Sequence, residues 1–346
     1  MAPGGIETLV LDMVRNCGDA VVFSLDSAID ELTKGWPSLG AHCRRIEAFD
    51  RQPGIRPSLV PKLAARLRQI RPQAVIAHHI GPLLYGGAAA RLAGVPRLVH
   101  VEHDAWHYQN PRHRLLAKLC ARVLRPAHVA VSSEVASKIG ELFPGESVTI
   151  IPPGIDVDRF KPGNREAARA RLDLDPHAKI IGTTGRLVPV KAQSILIAAA
   201  RQLPPDAHVV IAGDGPERGR LEDLARQNGL HRRIHFLGHR DDIEAILPAF
   251  DVFCLPSLAE GLPRSVLEAQ ACGVPVVASD VGALKDAVCP QSGRLFAPGD
   301  DKALAGTLQD VLALPTDASV PRAFVASRYS LSRTLEAYSN VIEKVH

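Results

Sequence analysis

Short Val/Ile-rich runs alternate along this chain with Leu/Ala/Arg-rich segments of helical period, and that alternation restricts the fold more than any other feature. The apolar runs are Ala20–Leu25, Cys43–Phe49, Ala74–His78, Arg97–Val101, Val129–Ser132 and Val148–Ile151 in the first half. In the second they are Ile180–Thr184, His208–Ala212, Ile234–Leu237, Val252–Leu255, Pro275–Ala278 and Arg294–Phe296. Helices are expected at Ile6–Arg15, Pro61–Ile70, Arg112–Leu124, Glu134–Leu142, Ala192–Gln202, Arg218–Asn228, Ile243–Phe250, Arg264–Ala271 and Lys302–Leu314. Strands separated by helices pair in parallel, with helices on both sheet faces. The chain is therefore read as α/β, and 346 residues suit two such cores rather than one. Pro152-Pro153-Gly154 stiffens and turns the chain between two complete alternating sets. The expected division is residues 1–155, residues 156–330, and a last helix in 331–346 that can pack on either domain.

The chain opens Met1-Ala2-Pro3-Gly4-Gly5 and enters a helix at once. A doubly wound domain begins with a central strand feeding such a turn. The expectation is that this first strand is missing, through a fragment or a late start, and that the N-terminal sheet exposes backbone groups needing partners.

Charge and cysteine usage narrow the class. Up to Ile155 there are 18 Lys+Arg against 13 Asp+Glu, so the net charge of +4 lies in the N-terminal half. Cys17, Cys43, Cys120, Cys254, Cys272 and Cys289 are scattered without a C-x-x-C pair, which implies a reducing, cytoplasmic setting. No run approaches a membrane-spanning length, and no secretory signal opens the chain.

The segment Leu255–Ser279 carries two carboxylates eight positions apart across a strand–loop–helix–strand unit. Open α/β sheets hold ligands at the carboxyl ends of their strands, where Glu260 falls. A lone Glu is ordinarily a solvated surface residue. Here Gly261 permits close backbone approach, and Pro263 suits a first helical turn whose free N–H groups face the same end. Glu260 can accept hydrogen bonds from sugar hydroxyls, and Glu268, two turns on, from a ribose diol. In Gly185-Arg186-Leu187-Val188-Pro189-Val190-Lys191, two cations follow a strand and can grip a diphosphate, although cations on such loops are commonplace. Gly213-Asp214-Gly215-Pro216 reads as a structural turn near a nucleotide, since Asp214 would repel phosphate. Gly4-Gly5, before a helix, is a phosphate cradle or a frayed end. No Walker A loop is present.

His100, His103 and His107 invite a zinc reading, but strand turns into loop there and helical ligand spacing does not apply. His78-His79 ends another strand and is a weaker candidate. Pro111–Arg125 holds five cations and no acid, with Leu115, Leu116, Leu119 and Val123 at helical spacing. It reads as a packed helix with a solvated basic face or as a surface for anionic lipid. Asp156-Val157-Asp158 and Asp173-Leu174-Asp175 spell D-x-D and are expected to face solvent.

Glu260-Gly261-Leu262, Glu268-Ala269 and Gly273-Val274-Pro275-Val276-Val277-Ala278-Ser279 resemble the paired-glutamate (E-x7-E) motif of retaining nucleotide-sugar glycosyltransferases of the GT-B fold, the group 1 family. Gly185-Arg186-Leu187 with Lys191, and Gly4-Gly5-Ile6-Glu7, fit further patterns of that family. The resemblance implies two Rossmann-like domains facing across a cleft. It makes 1–155 the acceptor side and 156–330 the nucleotide-sugar-binding domain. It implies a retaining, metal-independent hexosyltransferase that moves a hexosyl unit from a nucleotide-diphosphate sugar to an acceptor hydroxyl in polysaccharide or glycolipid synthesis. Arg186, Lys191, Gly4, Gly5, Gly261, Leu262 and Glu268 would bind the donor, and Glu260 and His103 would be catalytic. No cofactor and no metal are implied. Partners would be the donor sugar nucleotide, a sugar or lipid-linked acceptor and the anionic inner membrane face, not nucleic acid. An epimerase or phosphorylase on the same architecture, or a non-catalytic sugar-nucleotide binder, is the alternative, because fold alone does not separate them.

Overall fold

The computed structural model describes residues 4–25, 36, 39–40, 44–52, 54–315 and 317–343. The chain divides into two compact units, residues 1–153 with 332–346, and residues 154–331. Cys43, which began one expected strand, lies outside the described residues; the other five cysteines are free thiols.

The first unit starts with the helix Gly5–Asn16, followed by β1 (Val22–Ser24) and β2 (Ile46–Ala48), which pair in parallel. A second parallel sheet runs β3 (Ala74–His78), β4 (Arg97–Glu102), β5 (Ala127–Ala130) and β6 (Val148–Ile150), in that order. Among the described residues no ladder joins β1 to β3. The final helix, Leu331–Glu343, belongs almost wholly to this unit, with Tyr338 buried and Thr334 Oγ1 donating to Pro152 O at 2.9 Å.

The second unit is a six-stranded parallel sheet of β7 (Lys179–Thr184), β8 (Ala207–Ala212), β9 (Ile234–Gly238), β10 (Val252–Leu255), β11 (Val276–Ser279) and β12 (Arg294–Phe296). Alternate residues feed two cores. Ile180, Phe253, Leu255, Val276 and Ala278 enter one, whereas Ile181, Val252, Cys254 and Val277 enter the other. That is the period of two of a strand covered on both faces. The strand order is β12-β11-β10-β7-β8-β9. Chain progression therefore reverses between β7 and β10. This is the doubly wound arrangement, and its switch point opens a crevice at the carboxyl ends of those two strands.

Candidate functional site

The loops after β7, β8, β10 and β11 are stitched together by backbone. Gly185 N donates to Ala212 O at 3.0 Å, Leu187 N to Asp214 O at 2.9 Å, and Glu217 N to Leu187 O at 3.0 Å. Leu258 N reaches Val190 O at 2.8 Å, and Ala283 N reaches Gly261 O at 3.1 Å. Two glycines permit this proximity. A Cβ on Gly213 (φ +155°) would stand 1.8 Å from Gly185 O, and one on Gly282 (φ +57°) would stand 2.1 Å from Glu260 O. No side chain fits either place. Gly213-Asp214-Gly215 is thus a structural turn, with Asp214 Oδ1 accepting from Gly215 N at 2.7 Å.

That scaffold sets Lys191, on the loop after β7, against Glu260, on the loop after β10. Nζ donates to Oε1 at 2.6 Å, with the two side chains 21% and 8% exposed. The pair sits at the switch point. A largely buried ammonium–carboxylate contact is short and charge-assisted, and either group alone there would carry an uncompensated charge. Arg186 is exposed on the same loop, its carbonyl accepting from Gln193 Nε2 at 3.1 Å. Glu268 lies in the helix Arg264–Ala271, 3.6 Å from Arg264 Nε, whose Nη1 donates to Gly154 O at 2.9 Å. Gly261 is buried, and Leu262 packs against the core. The structure therefore joins two of the four expected charged residues directly, Lys191 and Glu260. It places Glu268 beside an arginine the sequence reading did not single out.

In the first unit, Gly4 precedes the helix Gly5–Asn16, and its carbonyl accepts from Thr8 N at 3.0 Å. The expected His103 is half-buried on the loop after β4, and its Nε2 lies 2.8 Å from His78 Nδ1. Burial holds both imidazoles neutral, with His78 pushed down to about 4 and His103 well below its ordinary value; neighbouring histidines add to the shift.

The centre of this cluster is Glu102, 1% exposed at the end of β4. His79 Nδ1 and His100 Nε2 each lie 2.9 Å from its carboxylate, His107 Nε2 lies 3.7 Å away, and Tyr108 Oη donates to it. Burial would raise the Glu102 carboxyl, but the surrounding imidazoles outweigh that and hold it well below the usual range. Burial likewise works against a charged His107, yet its hydrogen bond to Asp104 (3.0 Å) and the nearby Glu102 carboxylate raise it to about 9. Sequence reading named neither Glu102 nor Tyr108 as a site residue. The available signal was a carboxylate closing an otherwise apolar strand, Leu98-Val99-His100-Val101-Glu102.

Both D-x-D segments cap turns rather than build a site. Asp156 Oδ1 accepts from Asp158 N and Arg159 N at 3.0 Å each, and Asp175 Oδ1 from His177 N at 2.8 Å.

Residues 164–324 match the family model "Glycosyl transferases group 1", and residues 3–159 match "Glycosyltransferase Family 4". The chain belongs to the group 1 glycosyltransferases. The D-inositol 3-phosphate glycosyltransferase of Mycolicibacterium vanbaalenii is 39% identical over 209 residues, covering 55% of this chain and 46% of that protein. D-inositol 3-phosphate glycosyltransferase 2 of Catenulispora acidiphila is 34% identical over 239 residues, covering 62% of this chain and 55% of its own. The matched part thus spans about half the length of these curated relatives. Among solved structures, Anabaena HepE in complex with UDP-glucose superposes with a TM-score of 0.86 at 25% identity, covering 99% of this chain and 97% of that one. This likeness matches the two Rossmann-like α/β units with parallel sheets. Among the described residues no helix is long and apolar enough to cross a membrane.

Proposed function

We propose that this group 1 glycosyltransferase is a retaining hexosyltransferase that uses a nucleotide-diphosphate sugar. The observation that carries the reading is the Lys191–Glu260 pair at the switch point of the second unit's sheet. The UDP-glucose complex of HepE makes a UDP-hexose the first donor to test. In this reading Lys191 and Arg186 hold the diphosphate. As the anomeric C–O bond breaks, negative charge gathers on the leaving phosphate, and cations already in place stabilise it without a metal. Glu260 exchanges its lysine contact for sugar hydroxyls and steadies positive charge at the ring. Glu268 takes the ribose diol. The departing phosphate oxygen receives the acceptor's proton as the acceptor oxygen bonds to the anomeric carbon on the same face, so configuration is retained.

The first unit serves the acceptor through His103, and Gly4-Gly5 are assigned to donor binding. Polysaccharide or glycolipid synthesis at an anionic membrane is the proposed setting. Its support is the helix Pro111–Leu124. Leu115, Leu119 and Val123 are 71%, 57% and 66% exposed on it, four residues apart, among exposed Arg112, Arg114, Lys118, Arg122 and Arg125.

The test is turnover of UDP-hexoses by the full chain, with release of UDP and identification of the glycosylated product. Lys191→Ala and Glu260→Ala are expected to lower turnover by about 10²–10³-fold. A rearranged donor, or turnover that both substitutions leave intact, would overturn the reading.

A further inference from the structure

The first unit gathers metal-binding donors from two places in the sequence. His79 directly follows β3. Asp104 and His107 lie on the loop and short 3₁₀ turn after β4. One ligand atom from each of the three lies within 4.8 Å of the other two. The histidine set read from sequence, His100, His103 and His107, is not the one that converges. His100 is turned to Glu102, and His103 to His78.

We propose that His79, Asp104 and His107 form a binding site for a first-row transition metal ion of the zinc type. Three features support this beyond proximity. His79 is a non-glycine residue at φ +69°, a strained conformation that persists only where the surroundings enforce it. Its Nδ1 is engaged by the buried Glu102 at 2.9 Å, which fixes the ring and leaves Nε2 as the nitrogen available to a ligand. A carboxylate bonded to the far nitrogen of a ligating imidazole is the usual outer-sphere arrangement at zinc. Finally, His107 and Asp104 already meet at 3.0 Å, with side chains 20% and 16% exposed, so the donors reach solvent without lying open on the surface.

Two imidazoles and one carboxylate select zinc, cobalt, nickel or copper over magnesium or calcium, whose preferred ligands are oxygens. Three protein ligands leave a fourth tetrahedral position for water or a substrate oxygen. A bound ion would tie the loop after β4 to the end of β3. The inference does not rest on the proposed transfer reaction, because it is tested with neither donor nor acceptor present.

The experiment is equilibrium dialysis of the chelator-treated full chain against zinc chloride, with bound metal quantified by mass spectrometry. Cobalt chloride in a parallel arm reads coordination by visible absorption. The expected result is one zinc per chain and cobalt bands of a nitrogen- and oxygen-ligated tetrahedral site. His79→Ala and His107→Ala should abolish both. Glu102→Gln, which keeps the shape but not the charge, should weaken zinc by about 10–100-fold. His208→Ala serves as a control, since His208 pairs with His235 in the second unit (3.0 Å) and its loss should leave the stoichiometry at one. Circular dichroism establishes that each variant folds. Zinc uptake below one per chain in the parent, or uptake unchanged by both His79→Ala and His107→Ala in folded protein, would overturn the proposal.

Discussion

The two units hold their polar centres by different means. In the second, four loops are bonded backbone to backbone, and the Lys191–Glu260 contact rides on that frame. In the first, side chains hold one another: Glu102 is encircled by His79, His100, His107 and Tyr108, and His78 and His103 pair beside it. A backbone frame depends on the absence of side chains at a few positions. A side-chain network depends on the charge at its hub. The first arrangement should therefore fail by steric insertion and tolerate pH, and the second should do the reverse.

The largest expected effect is that of Glu102→Ala. It removes the hub and leaves buried imidazoles facing one another, at a cost of about 3–5 kcal/mol in the first unit. Chemical denaturation followed by hydrogen exchange in β3–β5 would measure it. Next is Gly213→Ala, whose Cβ would enter the Gly185 carbonyl. A loss of about 3 kcal/mol or more is expected from this overpacking at positive φ, read as a lowered melting temperature of the second unit. If the first variant harmed the second unit as much as its own, the comparison would break.

Acidification sharpens the contrast. His128 is 3% exposed and is pushed down to about 4, first by burial and then by the neighbouring His100. The unfolded chain takes up its proton near 6.5 and the folded unit does not. Stability is therefore complete above that value and lost as pH falls toward about 4, by on the order of 3 kcal/mol for His128. His78 adds to the loss in the same window. His107 acts oppositely. Its value is raised to about 9, so its contribution is present below 6.5 and lost as pH rises toward 9. Melting of the first unit should accordingly peak near neutrality, whereas the second unit, where burial also lowers His208 and His235, should weaken on acidification but lack the loss above neutrality that His107 gives. The smallest effect serves as a reference. Arg66→Ala, at a half-exposed pair with Glu47 (2.6 Å), should leave the melting temperature almost unchanged.

The same contrast explains what was legible in sequence. Every expected strand is present, several with the same bounds, because apolar runs between turn residues are local signals. The loops that carry Arg186, Lys191 and Glu260 were legible for a related reason: each has its own short motif, and a parallel sheet aligns the loop ends. The helical segment Ile80–Ala93 was not read, because Gly81, Pro82, Gly86 and Gly87 punctuate it. Burial of Leu83, Tyr85, Ala89 and Ala90 outweighs the weak helix propensity of those glycines. The helix Ser319–Arg328 was not among the expected ones; Val325, fully buried, anchors it. Glu102 and its ring were hidden for a deeper reason. His79 directly follows β3, Glu102 ends β4 and His107 lies on the turn beyond, and only the β3–β4 register, with His78 beside Val101, brings them together.

Hydrogen exchange of the full chain with and without a UDP-hexose tests the central claim most directly. The account predicts slowed exchange at Gly185–Lys191, Gly213–Glu217 and Ser257–Leu262, the loops at the carboxyl ends of β7, β8 and β10, and loss of that protection in Lys191→Ala. Protection at the opposite ends of those strands, or binding of the sugar nucleotide that leaves all three loops unchanged, would contradict it.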